Sequence, residues 1–119
     1  GTVMPILRKE DSQSKDFAPG ILRTEVVNAS LGSNSLTIAD LDLSDGSQVP
    51  THFHPKEEAM YILEGELVSL LGDEQVVVKA GDTVLAPAGI KHGFTNKSGK
   101  SARLLAIHPT VNVEVHKTD

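Results

Sequence analysis

Gly46-Ser-Gln-Val-Pro-Thr-His52-Phe-His54-Pro-Lys-Glu-Glu58-Ala-Met-Tyr-Ile-Leu-Glu-Gly65 is the stretch whose reading decides the fold. Residues two apart on a strand project to the same face. If the stretch is extended, His52 and His54 therefore point together into an interior. Glu58 follows four residues later and shares a face with Met60 and Ile62, while Ala59, Tyr61 and Leu63 take the other. His92 arrives after two glycine-bounded segments. Three imidazoles and a carboxylate make a mixed nitrogen and oxygen donor set suited to one divalent first-row ion.

Outward from that stretch the chain reads as short β-type runs broken by turn signals. Ile21 to Val27 alternates, and Asn28 to Asn34 is a Gly/Ser/Asn-rich turn. Leu36, Ile38, Leu41 and Leu43 predict a strand with an irregularity near Ala39-Asp40. Ala59 to Leu63 and Leu67 to Leu71 read as a hairpin turning at Glu64-Gly65. Gly72-Asp73 leads to Gln75 to Lys79, and Ala80-Gly81-Asp82 to Thr83 to Ala86. His92 to Thr95, Ala102 to His108 and Val111 to Val115 complete the series. The pattern predicts an all-β sandwich or barrel with little helix. Residues 1–20, which include Pro5 and Pro19, read as an N-terminal arm able to add a strand to a partner subunit. Residues 21–119 read as one domain.

The chain has 119 residues, enough for one core. Hydrophobic residues make up 39% and charged residues 23%, as in ordinary globular proteins. Aromatic residues are only 3%, so the core must rest on Leu, Val, Ile and Ala. A net charge of −5 argues against nucleic acid, whose phosphates need a basic surface. No run approaches the length of a membrane span, and residues 1–10 lack the apolar core of a signal peptide. The cytoplasm is the expected compartment. There is no cysteine, which removes disulfides and thiolate ligands.

The opening stretch resembles the first cupin motif, G(X)5HXH(X)3,4E(X)6G, over residues 46–65. Gly81-Asp-Thr-Val-Leu-Ala-Pro87-Ala-Gly89-Ile-Lys-His92-Gly-Phe-Thr-Asn96 resembles the second, G(X)5PXG(X)2H(X)3N, over residues 81–96. Every defined position is matched, and Glu66 to Ala80 forms the short spacer of small single-domain cupins. The resemblance implies a jelly-roll β-barrel of the double-stranded β-helix type. It also implies one divalent transition metal ion (Fe, Mn, Ni, Cu or Zn) held by His52, His54, Glu58 and His92. The motif glycines and Pro87 shape turns, and Asn96 is expected to satisfy nearby backbone groups.

Other residues are weighed singly. His108 shares strand parity with Leu104 and Ala106, which allows it to line the barrel beside the ligands. His116 is expected in solvent. Glu57 points away from the cavity by alternation, Phe94 inward, and Phe53 opposite to its flanking histidines. Tyr61 is expected between the sheet and a neighbouring layer or subunit. Lys91 reads as a loop lysine near the rim.

Cupins include dioxygenases, decarboxylases, isomerases, cyclases and lyases as well as non-enzymatic binding proteins, so the fold alone does not fix the reaction. The expected function is a metal-dependent, oxygenase-like enzyme acting on a small organic metabolite, with Glu58 as a proton acceptor. The alternative is a non-catalytic small-ligand-binding or sensory cupin. The resemblance further implies a homodimer, and neither nucleic acid nor membrane is an expected partner.

Overall fold

In the computed structural model of the protein, which describes residues 5–118, eleven strands build two antiparallel sheets. They are β1 (Ser14–Ala18), β2 (Ile21–Val27), β3 (Thr37–Leu43), β4 (Gln48–Phe53), β5 (Glu58–Glu64) and β6 (Glu66–Leu71). There follow β7 (Glu74–Lys79), β8 (Thr83–Ala86), β9 (His92–Thr95), β10 (Ala102–His108) and β11 (His116–Lys117). One sheet has the order β1-β2-β3-β10-β5-β8, the other β11-β4-β9-β6-β7. The only helical pieces among the described residues are two short 3-10 turns, Lys9–Asp11 and Ala29–Leu31. This is the all-β architecture that the turn spacing predicted, and the jelly roll that the resemblance implied.

The inner faces follow strict alternation. On β5 the inward set is Glu58, Met60 and Ile62, and on β10 it is Ala102, Leu104, Ala106 and His108. These strands run antiparallel, with Leu104 opposite Ile62 and Ala106 opposite Met60. One end of the barrel is therefore filled by apolar side chains, with Leu43, Ile62, Leu67 and Leu104 fully buried. The other end receives Glu58 and His108. Each such buried aliphatic side chain stabilises the fold by about 1.5–3 kcal/mol. The apolar end is thus the anchor, and the polar end is free to carry chemistry.

Three local expectations differ from the structure. Glu64-Gly65 is not a hairpin: β5 and β6 belong to different sheets, and Gly65 carries the chain across at φ +79. A Cβ there would stand 2.8 Å from the Ser101 carbonyl oxygen. A glycine bend between two alternating runs looks the same in sequence whether it folds a strand back or hands it to the opposite layer. A true two-residue hairpin forms at Gly72-Asp73, where Leu71 faces Glu74.

Residues 111–115 form no strand. Val113 and Val115 instead line a cavity at the polar end of the barrel, which satisfies their alternation without a sheet partner. The C-terminal segment rejoins a sheet only at β11, on the edge of β4. The irregularity expected near Ala39-Asp40 is not in β3 itself, which pairs continuously with β10, but in its other partner: β2 gains a residue between Glu25 and Val27, opposite Ala39 and Ile38. Ala39 is simply the small inward residue, while Asp40 lies on the outer face against Lys9 and Arg103. Tyr61 lies on the outer face at 40% exposure, so it packs under no layer of its own chain among the described residues, and its place against a neighbouring subunit belongs to the proposal below.

Within residues 1–20, the structure places β1 on β2 of its own chain, at the edge of the six-stranded sheet.

Candidate metal centre

His52, His54, Glu58 and His92 come from β4, the loop after it, the start of β5 and the start of β9. One ligand atom from each lies within 4.8 Å of all the others. Two donors about 2.1 Å from an ion on opposite sides would stand about 4.2 Å apart, so the cluster already has the dimensions of a coordination shell. His54, Glu58 and His92 are buried, while His52 is half-buried. Glu57 is exposed, as its parity requires.

A bulge puts His52 in place. Val49 faces Phe94 and His52 faces His92, so three steps on β4 match two on β9. Without the added residue, alternation would turn His52 away from Val49's side. With it, both point inward. Gly93 makes the distortion possible, because a Cβ there would lie 2.6 Å from the Val49 carbonyl oxygen. Pro50 sits within the bulge, where the ladder does not need its missing N–H.

Backbone carbonyls set the imidazole tautomers. His52 Nδ1 lies 2.8 Å from Pro50 O, His54 Nδ1 2.7 Å from Glu114 O and His92 Nδ1 3.1 Å from Ile90 O. A carbonyl only accepts, so each Nδ1 carries the hydrogen and each neutral ring keeps a lone pair on Nε2. The Nε2 of His92 is nevertheless 2.8 Å from Glu58 Oε1, and that of His54 is 3.0 Å from the same oxygen. His54 Nε2 is misaligned for a hydrogen bond and is left buried without one. Lone pairs facing a carboxylate oxygen call for positive charge between them. A proton supplies it at low pH; a metal cation supplies it otherwise. The donor set and its orphaned nitrogen fit a metal ion.

The titration behaviour follows. Burial alone would raise the Glu58 pKa, but contacts from His54 and His92 outweigh it and hold the carboxyl at about 2. Burial opposes charge on His54, yet Glu58 and the Glu114 carbonyl raise its pKa above the ordinary histidine value. Burial lowers His52, with His92 and His54 adding repulsion. Burial likewise lowers His108.

His108 lines the barrel, buried, with Nε2 3.5 Å from Glu58 Oε2. Its ring meets His54 edge-on at 5.0 Å. Phe94 faces inward as expected. Phe53 faces outward and stacks on exposed His116 at 5.0 Å. Lys91 pairs with Asp73 at 3.3 Å on the surface. Asn96 is fully buried and donates to the carbonyls of Leu43 and Lys100 while accepting from Ser98, a scaffold role.

The cluster opens into a cavity of about 230 Å³, whose apolar walls include Met60, Phe94 and Leu104. Two of its residues were missed in the sequence: Arg23 and Glu25 on β2. The signal was there, since both are in phase with buried Ile21. The third omission is a backbone group, the Glu114 carbonyl on His54, which no side-chain pattern announces.

Residues 40–108 match the family described as "Cupin domain". The tetracenomycin polyketide synthase protein TcmJ of Streptomyces glaucescens is 26% identical over 87 residues, covering 72% of this chain and 58% of that one. An acireductone dioxygenase of Leishmania major is 31% identical over 116 residues, covering 90% of this chain and 29% of that one. The chain thus spans between about a quarter and three fifths of these relatives. Among solved structures, the polyketide cyclase RemF of Streptomyces resistomycificus superposes with a TM-score of 0.87 at 22% identity, covering 98% of this chain and 87% of that one. That likeness concerns the fold alone. The family match spans more than half of the sequence, and the chain belongs to the cupin family.

Proposed function

We propose that the protein is a metal-dependent enzyme of oxygenase-like chemistry, acting on a small oxygen-rich organic metabolite. His52, His54, Glu58 and His92 are its metal ligands in this reading. The observation that carries it is the convergence of three carbonyl-tethered imidazoles on one carboxylate, with His54 Nε2 left orphaned. A divalent ion bound there supplies Lewis acidity and open positions for an oxygen atom of the substrate.

The chain's own residues do the rest. The Nδ1 tethers fix each ring so that little reorganisation accompanies binding. Met60, Phe94 and Leu104 exclude water from the inner wall, which strengthens electrostatic contacts inside the cavity. Glu58, ionised down to about pH 2, is the proton acceptor of this reading, with His108 beside its second oxygen to receive or steady the charge.

Support from relatives is of one kind only: their names include an acireductone dioxygenase and polyketide synthase proteins. The second reading is a ligand-binding or sensory cupin. In its favour, Glu25, the cavity's other carboxylate among the described residues, is engaged by Arg23 and Asn28, so no free carboxylate stands apart from the ligands. The test is to load the protein with iron, manganese, copper, nickel or zinc and measure oxygen uptake and product with small enediols, diketones and hydroxy acids. Turnover supports the enzyme, whereas tight capture without turnover under every metal supports the binding protein.

We also infer a homodimer through the outer face of the six-stranded sheet, where Tyr61 and Leu85 stand 40% and 54% exposed. Light scattering decides this, and a monomer at micromolar concentration contradicts it.

A further inference from the structure

Arg23 is a charged side chain on the inward face of β2, in phase with buried Ile21, in a cavity lined, apart from Glu25, His108 and the candidate metal cluster, mostly by apolar groups. Glu25, two residues on, accepts from Arg23 Nη1, and Asn28 Nδ2 donates to the other Glu25 oxygen at 2.9 Å. Such a half-exposed pair adds at most about 1 kcal/mol to stability, which does not account for a guanidinium in this place. Among the described residues Arg23 Nε and Nη2 have no protein partner, so a held guanidinium presents two donors.

Charge and size narrow what they meet. Arg23 and Glu25 cancel, so with a divalent ion and ionised Glu58 the cavity retains one positive unit, matched by a single negative charge on the ligand. A cavity of about 230 Å³ holds roughly eight waters at about 30 Å³ each. That is the volume of a molecule of about eight non-hydrogen atoms. Arg23 and Glu25 also wall a second, outer groove of about 400 Å³, so they stand where the inner chamber ends.

We propose that Arg23 is a specificity-determining residue, donating to a carbonyl or hydroxyl oxygen at the far end of a compact, singly anionic ligand whose charged oxygen sits at the metal. This deepens the metal-centred reading above and rests on it.

The test uses the full chain loaded with cobalt(II), whose visible spectrum reports ligands at the ion. Two 4- and 5-oxo acids, 4-oxopentanoate and 5-oxohexanoate, are titrated against the saturated acids of the same length, which carry the same charge but no far acceptor. For at least one length the oxo acid binds about tenfold tighter, the worth of one charge-assisted hydrogen bond. Arg23→Met erases that difference while leaving cobalt content unchanged; both acids bind more weakly, because Glu25 loses its counter-charge, but by the same factor. Arg23→Lys, which keeps the charge without the fork, retains a few-fold preference. Equal binding of oxo and saturated acids at both lengths, or undiminished discrimination in Arg23→Met, overturns the proposal while leaving the metal site standing. Failure of the native protein to hold cobalt overturns both.

Discussion

His52 and His92 face each other as register partners across β4 and β9, with ring centroids 4.5 Å apart, because β4 gains a residue between Val49 and His52. The candidate metal cluster therefore depends on a distortion of the sheet as much as on its side chains. The bulge depends in turn on Gly93, which has no Cβ to strike the Val49 carbonyl.

Gly93→Ala is expected to lower stability by about 2–4 kcal/mol, as overpacking against rigid backbone does, and to weaken metal binding by displacing His52. Gly81→Ala is the control. Unlike Gly93 it sits at positive φ, but a Cβ there meets nothing within 4 Å, so the cost is about 1 kcal/mol and metal affinity stays unchanged. Chemical denaturation and metal titration of both variants check the contrast.

His52→Ala and His92→Ala should each weaken metal binding by at least about a hundredfold, since even loss of a group that merely supports a ligand costs 10–100-fold. The β-sheet circular dichroism should persist, because the apolar end of the barrel is untouched. Full metal occupancy in both variants would refute the ligand assignment.

Deleting residues 111–118 removes the Glu114 carbonyl that fixes the His54 tautomer, together with the Thr51–Thr118 side-chain contact. Metal affinity should fall by about 10–100-fold, as for loss of other supporting groups. Unchanged affinity would show that the tether is incidental.

Protons compete with metal for His54, whose pKa is raised, before they compete for His52, whose pKa is lowered. Affinity should be flat above the His54 pKa and fall about tenfold per pH unit below it. Glu58, at about 2, does not contribute to that loss. In the metal-free protein the two shifts act on stability in opposite directions. The His54 contribution is fully present below the ordinary histidine value and is lost as pH rises through the raised one. The Glu58 contribution is present above the ordinary carboxylate value and is lost as pH falls toward 2. His52 and His108, whose pKa values are lowered, contribute stability that is lost as pH falls below the ordinary histidine value. Thermal midpoints with chelator should therefore peak near that value, and a monotonic rise to pH 8 would contradict this.

The sequence disclosed what side-chain type and alternation encode. Glu58, Met60 and Ile62 fall inward by parity, and His108 falls in with Leu104 and Ala106. It did not disclose what depends on the third dimension. Gly65 reads as a hairpin turn, although the chain there changes sheets; local propensity is identical in the two cases. Val111 to Val115 alternates like a strand, yet Val113 and Val115 roof the cavity instead. His52 and His54 carry the right spacing, but the bulge that turns His52 inward alongside Val49 has no marker beyond Pro50 and Gly93. Arg23 and Glu25 were legible as charges on an inward face, and only the cavity shows why that matters.

The central claim is that one cation joins His52, His54, Glu58 and His92. Anomalous diffraction from crystals grown with a transition metal tests it most directly. The account predicts a single peak about 2.0–2.2 Å from the Nε2 atoms of the three histidines and from Glu58 Oε1. No peak at that point under any of the five metals, with the four side chains unmoved, would contradict it.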